Sequence, residues 1–161
     1  MHKIVTVIAI ALFFSCHPDP KLEEDPIFIP EEMDFSEEDK QTIENYLTEN
    51  NLEATRTESG LYYIITEEGF GDMPTIESAV KMIYTGYFLD GETFDISPED
   101  GVLFKNLLQL IPGFSEGVLL LNKGAKATFI IPSGLAYGNG GSGFVPPNTV
   151  VAFDVELLDF L

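Results

Sequence analysis

The hydrophobic pattern changes character several times along the chain. A short basic start, Met1 to Lys3, leads into an apolar run over Ile4–Phe14. Residues 17–35 show no apolar period. Ser36-Glu37-Glu38-Asp39 then has the form of a helix start, with Ser36 as N-cap and acids in the first turn, where the helix dipole favours them. Ile43, Tyr46 and Leu47 follow on one face, which predicts a helix ending near Asn50-Asn51 and packing against its own domain. From residue 60 the period shifts towards two. Leu61, Tyr63 and Ile65 alternate up to Glu67-Glu68-Gly69, and Val80, Met82, Tyr84 and Phe88 share one face of the next strand. Asp90-Gly91 predicts a hairpin turn. Ala125, Ala127, Phe129 and Ile131 form another strand, stopped by Pro132, and Val151, Phe153, Val155 and Leu157 point inward from a last one. Phe114–Leu121 predicts one to three turns of helix. The sum is an α+β fold: an antiparallel sheet curled on one short helix, with a helical extension before it.

Composition narrows the chemistry. A chain of 161 residues, 45% hydrophobic with 13 Phe, can fill the core of one domain and carry a tail. Its 27 acidic residues against 8 basic ones give a net charge of −19, which repels phosphate backbones and excludes nucleic acid as a partner. Both histidines, His2 and His17, and the single cysteine, Cys16, lie within the first 17 residues. The remainder has no imidazole and no thiol. It therefore lacks the means for Ser–His or Cys nucleophilic catalysis, histidine base chemistry, ordinary zinc sites or a disulfide framework. The acidic stretch Asp95–Asp100 does not fit a calcium loop, because Asp100 stands where such a loop needs glycine. Any catalysis here works without cofactor, metal or covalent intermediate.

The apolar run at the N-terminus has 11 residues, against the roughly 20 that a membrane-spanning helix needs. It fits the core of a signal peptide over residues 1–15. Leu12-Phe13-Phe14-Ser15-Cys16 resembles a bacterial lipoprotein box, which implies removal of residues 1–15 and acylation of Cys16, with palmitate-type chains as the membrane anchor. His17 stands where an aspartate commonly marks inner-membrane retention, so outer-membrane attachment is expected, facing the periplasm or the cell surface. Residues 16–35 alternate Pro18, Pro20, Pro26 and Pro30 with Asp and Glu, the composition of an extended, self-repelling tether. The expected organisation is thus 1–15 signal, 16–35 lipidated tether, 36–59 helical extension and 60–161 folded domain.

One motif is a decoy. Gly138-Asn139-Gly140-Gly141-Ser142-Gly143 satisfies the dinucleotide-binding pattern, but Phe144-Val145-Pro146-Pro147 follows, and the prolines forbid the helix that would receive a pyrophosphate. Other blocks are more specific. Val80-Lys81-Met82-Ile83-Tyr84-Thr85-Gly86-Tyr87 with Asp90–Ser97, Ile111-Pro112-Gly113-Phe114-Ser115-Glu116-Gly117, Ile131–Gly138, Val145-Pro146-Pro147-Asn148 and Phe153–Leu158 stand in order. In sequence and spacing they resemble the signatures of FKBP-type peptidyl-prolyl cis-trans isomerases, over about half the chain.

The resemblance implies a shallow apolar pocket for a prolyl side chain, lined by Tyr84, Phe94, Asp95, Leu110, Ile111, Phe114, Tyr137, Phe144 and Phe153. Phe114 would form the floor, in a position where the family usually has tryptophan; this chain has no Trp. Phe94 and Phe153 would be the walls and Phe144 the rim. Ile111 would donate its backbone N–H to a substrate carbonyl, Tyr137 would offer its hydroxyl, and Asp95 would sit beside it. Each aromatic taken singly fits an ordinary core residue; five blocks in register point to a site. The implied activity is isomerisation of X–Pro bonds in exported proteins. The alternative is a module that binds proline-containing segments, or docks a partner through the helix at 36–50, with little catalysis.

Overall fold

The computed structural model describes residues 37–104 and 106–161. Ser36, Cys16 and the signal and tether segments lie outside the described residues. In chain order the elements are α1 (Glu37–Glu49), β1 (Thr55–Arg56), β2 (Tyr62–Glu67), β3 (Val80–Phe88), β4 (Thr93–Ile96), β5 (Val102–Phe104), α2 (Pro112–Val118), β6 (Lys126–Ile131) and β7 (Val151–Phe160). Short 3₁₀ turns at Leu107–Gln109, Ser133–Leu135 and Gly138–Gly140 connect the later elements.

The strands make one antiparallel sheet in the order β1-β2-β6-β7-β3-β4, with β5 also paired to β3. β3 and β7 are the long central pair, running in register from Val80 opposite Phe160 to Phe88 opposite Val151, with a shift between Lys81 and Met82. Alternation along these strands places Val80, Met82, Ala127, Phe129, Val155 and Leu157 on one face, all buried. α2 lies against that face. The helix starts at Pro112, two residues earlier than the apolar pattern predicts, because proline suits the first helical position, where no intrahelical N–H is needed. β1 and β5 escape the sequence pattern: at two and three residues they are too short to establish a period.

The other face of the sheet carries a second, smaller apolar cluster. Tyr62, Ile130, Val150 and Ala152 are buried there against Ile43 of α1, with Tyr46 and Leu47 packed around them. The predicted helix face is thus used within the domain, covering residues that stand out of phase with the main core.

α2 approaches the sheet closely because of its glycines. A Cβ at Gly117 would lie 2.7 Å from two ring atoms of Phe129, and one at Gly113 would lie 2.5 Å from Ile131 Cγ2. Gly117→Ala therefore pits a gain of up to about 1 kcal/mol in helix propensity against about 1–3 kcal/mol of overpacking. We expect net destabilisation, read as a lower urea midpoint with unchanged slope; a raised midpoint would show that the sheet yields to the helix.

Candidate functional site

The site grows out of the junction between α2 and the concave face of the sheet. Phe114, in the first turn of α2, is 4% exposed and meets Phe153 of β7 at 5.0 Å between ring centroids and 80° between planes. Behind it Phe129 of β6 stands at 5.9 Å and 89°. Tyr84 of β3 completes the group, 5.8 Å from Phe114 and 6.1 Å from Phe153. Near-perpendicular packing sets the positive edge of each ring on the negative face of the next. The rings therefore brace one another without stacking shut.

Around them lies a hollow of about 200 Å³, lined by Tyr84, Asp95, Phe104, Gln109, Leu110, Ile111, Phe114, Tyr137 and Phe153. It is below the ~300–1,000 Å³ usual for small-molecule sites, which suits one small side chain better than a cofactor. A larger cleft of about 1090 Å³ opens where α1 meets the loops around Asp90 and Ser133. Its lining is mixed, with Glu38, Asp39, Asp90 and Glu92 beside Phe88 and Val150. The smaller hollow is the one in which aromatic rings converge on a few placed polar groups.

Those polar groups are held by local structure. The Tyr84 hydroxyl donates to Asp95 Oδ2 at 3.0 Å, across the β3–β4 pairing. Burial, and then this bond and the charge of Asp95, push the Tyr84 phenol up to about 12. Tyr137 is also raised, first by burial and then by the same carboxylate. Both phenols therefore remain neutral O–H donors at physiological pH. Ile111 caps α2, its carbonyl accepting from Phe114 N and Ser115 N at 3.1 Å. Its own N–H donates to none of the described residues, and Ile111 lines the hollow. The 3₁₀ turn before it is fixed by Asn106, whose Oδ1 accepts from Leu108 N at 2.9 Å, and by Ser115 Oγ, which donates to Leu107 O at 2.6 Å.

Of the sequence-derived residues, Tyr84, Asp95, Leu110, Ile111, Phe114, Tyr137 and Phe153 meet at this hollow. Two others stand apart from that set. Phe94 packs against two of its rings, at 5.6 Å and 89° to Phe153 and 6.3 Å and 85° to Tyr137. Phe144, expected at the rim, is 87% exposed at the tip of a tight turn closed by Ser142 and Val145, which bond each other through both N–H groups at 2.9 and 2.8 Å. Two lining residues were missed, Phe104 and Gln109, because β5 and the following turn carry no periodic signal. Gly86 of β3 lies directly against two of these rings. A Cβ there would lie 2.6 Å from Phe153 and 2.9 Å from Phe94, and a lone glycine inside a strand pattern is the sequence sign of such an approach.

The comparisons with known proteins bear on this geometry. The family profile described as FKBP-type peptidyl-prolyl cis-trans isomerase matches residues 71–158. The chain is 42% identical over 137 residues to the FKBP-type isomerase FkpA of Aeromonas hydrophila, covering 79% of this chain and 51% of that protein. It is 44% identical over 124 residues to a probable FkpA of Neisseria meningitidis, covering 74% and 45%. The chain thus spans about half the length of these curated relatives. Among solved structures, Escherichia coli FkpA superposes with a TM-score of 0.69 at 35% identity, covering 80% of this chain and 60% of that one.

The Tyr84–Asp95 pair has a measurable signature. A phenol raised in the folded state is protonated there while the unfolded one has begun to ionise. It supports folding fully below about pH 10, and that support is lost as pH rises through about 12. Ultraviolet titration of Asp95→Asn should show the Tyr84 transition moving down from about 12 but staying above the ordinary value, since burial persists. No movement would mean that Asp95 does not act on this phenol.

Proposed function

The chain belongs to the FKBP-type peptidyl-prolyl cis-trans isomerase family, and from that premise we propose that its aromatic hollow catalyses rotation about X–Pro bonds of exported proteins. The observation that carries the reading is the convergence of Tyr84, Phe114, Tyr137 and Phe153 with the free N–H of Ile111 on a hollow sized for a prolyl ring. The X–Pro bond is planar by resonance, and rotation meets a barrier of ~18–20 kcal/mol. The planar amide carries a larger dipole than the twisted one, so water favours the planar forms. Apolar walls that replace water remove part of that preference, and a fixed donor at the carbonyl adds fit to the twisted state. Each ~1.4 kcal/mol removed from the barrier gives about tenfold in rate, so roughly 6–8 kcal/mol gives about 10⁴–10⁶-fold. No proton is transferred and no bond is broken. The absence of histidine and cysteine after residue 17 is compatible with this chemistry.

A binding role with little turnover is favoured by one observation. Leu108, next to the lining residue Gln109, is 74% exposed, and Phe144 is 87% exposed, as expected of side chains that grip apolar segments. Proline-limited refolding of a test protein separates the two. With the purified full chain we expect acceleration at micromolar enzyme or below; tight peptide binding without acceleration would establish the binding role instead. Asp95→Ala should cut the acceleration several-fold while the protein stays folded, because Asp95 is exposed and surface changes typically cost within about 0.5 kcal/mol. Phe153→Ala is a poorer test, since that ring is also core.

We also propose that Cys16 is acylated and tethers the domain to a membrane, with the outer membrane as the expected location. The apolar run Ile4–Phe14 ending at Ser15-Cys16 supports this, and the acidic, proline-rich residues 17–35 suit a spacer. Cells fed a labelled fatty acid should label the protein, and Cys16→Ala should abolish the label. Label retained in that variant would rule out this anchor.

A further inference from the structure

Among the described residues, one buried carboxylate lies outside the hollow. Asp39, in the first turn of α1, is 5% exposed, and both donors of Ser133 reach its Oδ2, the backbone N–H at 2.8 Å and the hydroxyl at 2.7 Å. Ser133 is itself 8% exposed and 94 residues away in sequence. Hydrogen bonds to an ionised acceptor are stronger than neutral ones, and leaving two such buried donors unmet is costly. One helical turn further on, Ile43 is fully buried against the outer face of the sheet. Among the described contacts, α1 is held by an apolar one on the sheet and by a polar one on the turn that begins at Ser133.

That turn leads directly to the hollow. Leu135 N donates to Pro132 O and Ala136 N to Ser133 O, each at 3.0 Å, so residues 132–136 form one bonded unit, and Tyr137 follows it. Leu135 is 1% exposed and abuts Gly113 at the start of α2, where a Cβ would lie 3.1 Å from Leu135 Cβ. The unit therefore touches both the Tyr137 wall and the helix that carries Phe114. The donors that Ser133 offers Asp39 exist because position 133 is not a proline and keeps its N–H; the hydroxyl supplies the second.

We infer that Asp39 is a positioning residue of the site, holding Tyr137 in the wall of the hollow through Ser133, so that the N-terminal helix is part of the catalytic scaffold. The inference rests on the isomerase reading for its kinetic consequence, but its structural half can be read without activity. In the purified full chain, Asp39→Ala should lower kcat/KM for a proline-containing peptide about tenfold, and Asp39→Asn, which keeps an acceptor oxygen, only about threefold. In a Tyr137→Ala background, Asp39→Ala should cost less than about twofold, because the side chain it positions is gone. Incorporation of ring-fluorinated tyrosine supplies the second readout. The Tyr137 resonance, assigned by its loss in Tyr137→Phe, should shift or broaden in Asp39→Ala, while that of Tyr63 stays in place.

An unchanged Tyr137 resonance overturns the inference whatever the kinetics. An unchanged kcat/KM in Asp39→Ala, or an equal loss in the Tyr137→Ala background, overturns it wherever the wild type is active, even if thermal stability falls. Should Asp39→Ala fail to fold, Ser133→Ala removes one of the two bonds and is held to the same readouts. A wild type that accelerates nothing defeats the isomerase reading alone, since the fluorine resonance still reports the link from Asp39 to Tyr137.

Discussion

The rest of the structure depends on a set of aromatic rings that must be core and wall at once. Phe114 and Phe153 belong to the same buried cluster as Phe129, Val155 and Leu157, yet one side of each faces the hollow. An apolar void inside a protein normally fills by side-chain movement, because close packing is favourable. Here the rings meet near 90°, so each blocks its neighbour from folding into the gap. Gly86 and Gly117 let strand and helix come close enough to hold that arrangement. An aromatic hollow is thus a by-product of how the core is packed, and the proposed chemistry asks for nothing more reactive than such a hollow.

The polar groups follow from the same packing. Tyr84 and Tyr137 stand half in the core and half at the opening, where burial keeps their protons on and Asp95 reinforces the effect. The N–H of Ile111 is available because the chain enters α2 at that residue, and the first turn of any helix leaves donors unpaired. Positioning here is a backbone matter as much as a side-chain one. That fits a reaction in which the substrate's own amide is the moving part.

Much of this was legible in the sequence, and the limits are physical. Long strands with clear alternation, such as the stretch Phe153–Leu157, declare both their structure and their main buried face. The signature blocks around Tyr84, Ile111-Pro112 and Tyr137 located most of the lining. Elements of two or three residues do not repeat often enough to be read, which hid β5 and with it Phe104. Phe144 illustrates a different limit: it occupies the expected place in the chain, but spacing does not encode how far a turn carries a ring out into solvent. The Asp39–Ser133 bond spans 94 residues and leaves no local trace at all.

The way the sheet finishes at its sides bears on a protein proposed to handle unfolded chains. A long exposed strand would offer a row of free N–H and C=O groups on which a client could add itself as another strand. Here β3 is flanked by two separate short pieces, β4 along Thr85–Tyr87 and β5 along Val80–Met82. On the opposite side β1 covers Tyr62 and Tyr63, and the remaining stretch of β2 runs out into Glu67 and Glu68. Interrupted borders and terminal carboxylates make poor templates. On the proposed reading, a client held by its proline would find little free backbone here on which to add itself as a strand.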